Sequence, residues 1–167
     1  MLSKGKDVYN DNAAFHQEIA ETLMQRYLSQ VQAPEGWRET AVWHWRQAGK
    51  LFDATSLCLD IVETRITRLD FNGARHWAEQ ALTLIDALPI KQHIDLEIRA
   101  CTLTLVVLEF GGQYREGVEF AFRLLNAVQQ HSAPGGIARA YLTLGRMQRE
   151  AGQLSAAETS LRRACSL

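Results

Sequence analysis

Gly112-Gln113-Tyr114-Arg115-Glu116-Gly117 is followed by Ala121 and Leu124, and Gly152-Gln153-Leu154-Ser155-Ala156-Ala157 is followed by Leu161 and Ala164 at the same offsets. A third segment, Leu69-Asp70-Phe71-Asn72-Gly73-Ala74, leads to Ala78 and Ala81 in the same register, and the three copies begin 43 and 40 residues apart. A breaker followed by small residues at three- and four-residue spacing describes a turn that opens a helix, with its small side chains set for close approach to another helix. Self-similarity at such a period decides architecture before any residue chemistry does. Upstream of the last copy, Tyr141, Leu144, Gly145 and Gln148 fall on the helix that precedes the turn. A looser fourth copy runs from Ala41 through Trp45 and Gly49 to Ala54 and Cys58.

Outward from these copies, apolar residues keep helical spacing and breakers recur at Pro34 to Gly36, Gly49, Asn72 to Gly73, Pro89, Gly111 to Gly112, Pro134 to Gly136 and Gly152. The pattern predicts an all-α chain of about eight antiparallel helices, near 11–31, 36–48, 51–69, 72–87, 91–110, 114–130, 135–151 and 154–165. Residues 1–10 read as a flexible lead. Residues 11–167 read as one domain of helix pairs, near 11–48, 51–87, 91–130 and 135–165, whose short connections make neighbours antiparallel. Cys101 to Phe110 (CTLTLVVLEF) is rich in β-branched residues and alternates in part, as a buried strand would. Ile94, Ile98, Cys101, Leu105 and Leu108 nevertheless keep helical spacing, and no second strand candidate exists to pair with it.

The chain has 167 residues, 47% hydrophobic and 22% charged, with three prolines. A chain of that size buries roughly two thirds of its unfolded surface, so neither metal nor disulfide is needed for folding. Eighteen Lys and Arg against nineteen Asp and Glu give a net charge of -1. That is no general attraction to nucleic acid or to an anionic membrane. Cys58, Cys101 and Cys165 are odd in number, widely spaced and set among apolar neighbours, as reduced core thiols are, so a reducing cytoplasm is expected. Lys4 and Lys6 precede no apolar signal region. No apolar run is long enough to span a membrane.

The repeated pattern resembles the tetratricopeptide repeat, with departures: Gln148 stands where an aromatic is usual, Gly117 replaces an alanine, and the period is longer. The resemblance implies a right-handed α-α superhelix with a concave and a convex side. A more specific likeness is carried by Tyr9, by Phe15-His16-Gln17-Glu18-Ile19-Ala20-Glu21-Thr22-Leu23, by Ala41-Val42-Trp43-His44-Trp45-Arg46-Gln47-Ala48-Gly49 with Ala54, and by Arg75-His76-Trp77-Ala78-Glu79-Gln80-Ala81-Leu82 with Leu84 and Ile85. Together these resemble the helical-repeat region that follows the nucleotide-binding and winged-helix domains of bacterial multidomain signalling ATPases and transcription regulators. The resemblance implies a sensor or protein-interaction arm, and an attached ATPase domain as a partner. No G-x-x-x-x-G-K-[ST] occurs in the chain, so it carries no phosphate cradle of its own. Because Ser166-Leu167 breaks off in mid-pattern, a segment of a longer protein is expected.

Arg139, Leu142, Arg146 and Arg149 form one stripe on their helix, opposite the apolar one. Arg99, Thr102, Val106 and Glu109 hold the equivalent stripe one repeat earlier. In tetratricopeptide arrays this face lines the concave groove, so the resemblance makes Arg99, Glu109, Arg139, Leu142, Arg146 and Arg149 ligand contacts. The guanidinium fork suits carboxylates or phosphates. A solvated helix face satisfies the same pattern. Trp43 and Trp45 cannot share one helical face, so one of them, with Trp43 as the candidate, is either an exposed binding anchor or buried between repeats. Trp77 occupies a packing position. His16, His44, His76, His93 and His131 show no ligand spacing, so no metal and no cofactor are expected. The acid pairs Glu18/Glu21 and Glu116/Glu119 lack any nucleophile or oxyanion donor beside them, and no catalytic residue is assigned.

Four functions fit this reading. The first is a protein-binding or effector-sensing arm, and the second a free-standing adaptor for acidic or carboxylate-ended peptides. A nucleic-acid solenoid is disfavoured by the neutral charge. The fourth is self-association through the solenoid ends.

Overall fold

A computed structural model describes the backbone of residues 4–30, 33–130 and 134–167, and the side chains of residues 12–30, 33–89, 94–130 and 135–167. Among the described residues the chain is all helical: α1 (Lys4–Tyr27), α2 (Trp37–Gln47), α3 (Leu51–Thr67), α4 (Phe71–Asp86), α5 (Ile90–Phe110), α6 (Tyr114–Gln130), α7 (Pro134–Glu150) and α8 (Leu154–Cys165). Consecutive helices pack on one another along the whole chain, and α3 also packs on α5. The result is an α-α superhelix. The first helix begins at Lys4, where spacing placed it near residue 11, so residues 4–10 of the expected lead are helical. Residues 1–3, and Val31 at the expected end of that helix, lie outside the described residues.

One local device makes four of the reversals. Gly49, Leu69, Gly112 and Gly152 all lie in the left-handed region, with φ of 71°, 60°, 66° and 80°. After each, the next N–H closes on a carbonyl five residues back: Lys50 on Trp45, Asp70 on Arg65, Gln113 on Leu108 and Gln153 on Gln148, at 2.8–2.9 Å. This is the Schellman closure, which satisfies carbonyls that the helix end leaves without partners. The register that aligned Leu69 with Gly112 and Gly152 is therefore a register of backbone conformation, with leucine forced into a glycine's place. Asp70 then caps α4, accepting from the Gly73 N–H at 2.9 Å. That bond, aided by the Arg65 guanidinium, holds the Asp70 carboxyl below its ordinary range.

Small residues sit where helices cross. Ala20, Ala41, Ala54 and Ala81 are wholly buried in the core shared by α1 to α5. Val107 of α5 packs with Ala74 and Ala78 of α4. One repeat later Met147 of α7 lies over Gly117 of α6, its Sδ 2.9 Å from where a Cβ would stand. Each step thus drops a branched or long side chain from the incoming helix onto a small residue of the preceding pair. The Cys101 to Phe110 stretch is helical because α5 is apolar on two sides: Cys101 and Leu105 join the α6–α7 core, while Leu103 and Val107 pack toward α3 and α4.

The last pair inverts the sizes. Leu105 of α5 and Ala121 of α6 become Gly145 of α7 and Leu161 of α8, with Leu161 Cγ only 2.7 Å from a Cβ built on Gly145. Gln148, the departure from the usual aromatic, is buried and accepts from the Ser160 hydroxyl at 2.7 Å, so the polar substitution is matched across the pair. One expectation fails: Cys58 and Cys101 are buried, but Cys165 is exposed, because it lies on the side of α8 that no other described helix covers. Burial pushes the Cys58 and Cys101 thiols up to about 12. Among the described residues no helix is long and apolar enough to cross a membrane.

Candidate interaction surface

The face shared by α3, α5 and α7 carries the arginine stripes, and the structure divides them. Arg99 donates from Nε to Glu63 at 3.0 Å and from Nη2 to Asp60 at 2.7 Å, both on α3. Arg146 donates to Glu109 of α5 at 2.8 Å. Arg99, Glu109 and Arg146 are therefore ties between successive first helices, a use that the stripe pattern did not reveal. Arg149 folds back on its own neighbour Glu150 at 2.7–3.0 Å. Arg139 is exposed and makes no ion pair with any described residue, and Leu142 on the same face of α7 is 56% exposed. Arg139 holds the position of Arg99 one repeat on, but Leu103 and Val106 replace the carboxylates Asp60 and Glu63, so its fork has nothing to grip.

The same device recurs elsewhere. Arg75 of α4 reaches Glu116 of α6 at 3.0 Å and also Gln113. Arg123 of α6 spans to Asp86 at the end of α4 and to Glu97 of α5, both at 2.7 Å. Arg65 joins Glu39 of α2 to Asp70, at 3.1 and 3.0 Å. These residues escaped the sequence reading. The signal that finds them is an arginine with an acid about one repeat away, as in Arg75/Glu116, Arg99/Asp60, Arg123/Asp86 and Arg146/Glu109. Each pair is half exposed and worth little alone, but together they brace successive repeats in one register.

A second feature lies on α1 and α2. Trp43 is 52% exposed, whereas Trp37 and Trp45 are buried and Trp77 packs partly buried against the core, so the helix does separate its tryptophans. The Trp43 ring meets His16 and His44 edge-on, with centroids 5.1 and 4.8 Å apart, and Phe15 flanks His16. His16 and His44 share a hydrogen bond between their Nδ1 atoms at 2.8 Å. One ring donates and the other accepts, so the pair accommodates one proton there and not two. Partial burial, then the neighbouring His16, lowers the basicity of His44. Among the described residues no three His, Cys, Asp or Glu side chains converge on a point where a metal ion would sit. His93 and His131 lie outside the described side chains.

Several open hollows mark the described surface, two of them of about 510 Å³. One lies where the α1–α2 connection, the first turn of α2 and the end of α3 meet, lined by Trp37, Arg38, Arg65 and Arg68 among others. The other is a largely apolar trough outside α7 and α8, lined by Leu154, Ala157, Leu161 and Cys165, with Arg149, Glu158 and Arg162 at its rim.

No family model matches the chain. No curated protein matches it either. Among solved structures, it is similar to BtubC (BKLC) from P. vanneervenii, with a TM-score of 0.57 at 14% sequence identity over 96% of this chain and 74% of that one. At that identity the likeness concerns the fold alone: this chain shares with BtubC an all-helical, repeat-like architecture.

Proposed function

We propose that this chain is a non-catalytic protein-interaction scaffold, the helical-repeat arm of a cytoplasmic signalling ATPase or transcription regulator. The observation that carries the scaffold reading is the contrast along one face. Arg99, Glu109 and Arg146 are committed to bracing the repeats, while Arg139 and Leu142 stand open beside them on a helix whose position is fixed. A braced, open face offers a partner contact area with little ordering cost. The ATPase or regulator context is supported by the sequence resemblance of α1, α2 and α4. In that context a ligand preferring one curvature of the superhelix shifts how the arm packs on its neighbour, because changing curvature stretches ties such as Arg123–Asp86 and Arg146–Glu109.

The test is the mass of the native gene product in its source cells, detected with an antibody to this chain. A band far above 18.8 kDa supports an arm of a larger regulator, and a band at that mass refutes it. The open Arg139 and Leu142 favour a second reading, an adaptor for acidic or carboxylate-ended peptides. Under that reading Arg139→Glu with Leu142→Asp abolishes binding of fluorescent acidic peptides while helicity stays unchanged. Equal affinity in wild type and variant excludes it.

A further inference from the structure

We propose that the hollow at the start of α2 binds the phosphoryl group of a small molecule, held between the side chains of Arg38 and Arg68. The hollow's volume of about 510 Å³ falls within the range of small-molecule sites. Three arginines and two carboxylates line it, Arg38, Arg65 and Arg68 with Glu35 and Glu39. Arg65 is already engaged, donating to Glu39 at 3.1 Å and to Asp70 at 3.0 Å. Arg38 and Arg68 form no ion pair with any described residue, and Glu35, exposed on the α1–α2 connection, reaches neither of them. Elsewhere Arg75, Arg99, Arg123 and Arg146 each hold a carboxylate of another helix. The hollow thus brings together two guanidinium forks that the fold leaves unanswered.

Further donors in the lining lack acceptors. The Arg38 guanidinium lies over the Trp37 ring, its Cζ 4.8 Å from the centroid, and Trp37 is buried, so the fork is positioned before any ligand arrives. Its Nε is buried and has no hydrogen-bond partner among the described residues. A buried donor left in that way is costly, and such groups in native proteins are met by a partner. The first turn of α2 adds backbone donors. Gly36 caps the helix at φ 80° with no side-chain bond, and the first amide to close on a carbonyl is that of Thr40, on Gly36. The N–H groups of Trp37, Arg38 and Glu39, all in the lining, therefore stay open, whereas Asp70 caps α4. The end of α3 beside it offers no opposing set of free acceptors, because the Arg68, Leu69 and Asp70 N–H groups close on the carbonyls of Thr64, Arg65 and Ile66. Two free forks, a buried orphan donor and a helix start at one hollow call for an anion. A phosphoryl group, with a charge of about −1.5 to −2 and three acceptor oxygens, matches two guanidinium forks where a single carboxylate answers only one. The remaining volume takes the organic part of the molecule.

The site stands apart from the open face of α7, so it holds whether the chain is an arm of a regulator or an adaptor. The test titrates the intact chain with inorganic phosphate and with pyrophosphate at constant ionic strength, followed by NMR. Saturable shifts are expected at the backbone amides of residues 36–39 and at the Arg38 Nε–H. Arg38→Gln and Arg68→Gln each weaken pyrophosphate binding about tenfold or more. Arg68 is exposed at the end of its helix, so its variant keeps wild-type helicity and tests the site with the fold intact. Arg139→Gln leaves binding unchanged. Citrate, which offers carboxylates alone, binds about tenfold more weakly than pyrophosphate or worse. The proposal is overturned if neither phosphate nor pyrophosphate saturates at millimolar concentration, or if binding survives undiminished in Arg68→Gln. Shifts spread evenly over the exposed arginines overturn it as well, and citrate binding as tight as that of pyrophosphate overturns the assignment to a phosphoryl group.

Discussion

Replacing Gly145 by alanine tests the packing logic of the last helix pair. A Cβ at Gly145 stands 2.7 Å from Leu161 Cγ, 2.8 Å from Leu161 Cδ2 and 3.2 Å from the Ala157 carbonyl oxygen. The first two distances are well inside carbon–carbon contact, and the carbonyl blocks retreat the other way. Overpacking of this kind costs about 1–3 kcal/mol, while removing a glycine from a helix interior returns about 0.5–1 kcal/mol. The net expectation is a loss of about 1 kcal/mol, read as a lower urea midpoint at constant m-value in far-UV circular dichroism. The informative step is the same substitution in a Leu161→Ala background. With the clashing side chain gone, only the 3.2 Å approach to the Ala157 carbonyl opposes the helix-propensity gain of about 0.5–1 kcal/mol, so Gly145→Ala becomes neutral or stabilising and the double-mutant cycle shows strong coupling. The preceding pair, where Leu105 of α5 and Ala121 of α6 hold the opposite sizes, is the natural precedent. Additive effects of the two substitutions refute the reasoning, since they mean that Gly145 and Leu161 do not share one space.

Leu69→Gly is expected to raise stability by about 0.5 kcal/mol, the relief of a left-handed leucine less the extra freedom of the unfolded glycine. A lower midpoint in the same assay sinks that account of the turn. Thermal stability is expected to fall as pH drops below about 6.5, the ordinary histidine value. His44 has a lowered basicity when folded, so the unfolded chain takes up the proton first and stability is lost as pH falls from 6.5 through the folded value. His44→Gln removes that component, and an unchanged profile contradicts it. Arg123→Ala unties α6 from both Asp86 and Glu97, so it is expected to speed amide exchange in the last turn of α4 and in α6 more than Arg162→Ala does in α8. Equal effects argue that the ties are ornamental.

The helices and their turns were legible in the chain because both are local. A helix needs only spacing along the sequence, and a left-handed reversal needs a residue that tolerates positive φ, or an alignment that puts Leu69 where glycine stands in its sister copies. The separation of Trp43 from Trp45 was legible for the same reason, since it follows from 100° per residue. The fate of the arginine stripes was not. Whether Arg99 meets a peptide or meets Asp60 and Glu63 depends on how far one helix slides along another, and residues about forty positions apart come together only once the small residues at the crossings have set that register. Cys165 shows the same boundary: its apolar neighbours said core, but burial depends on what packs outside α8. Sequence by itself determined a stack of helix pairs joined by left-handed turns, because those properties reside in one or two turns of backbone. Only the tertiary structure decided that Arg99 and Arg146 hold the stack together and that Arg139, Leu142 and Trp43 are left open. A side chain's partner is settled by inter-helix register, which no single segment encodes.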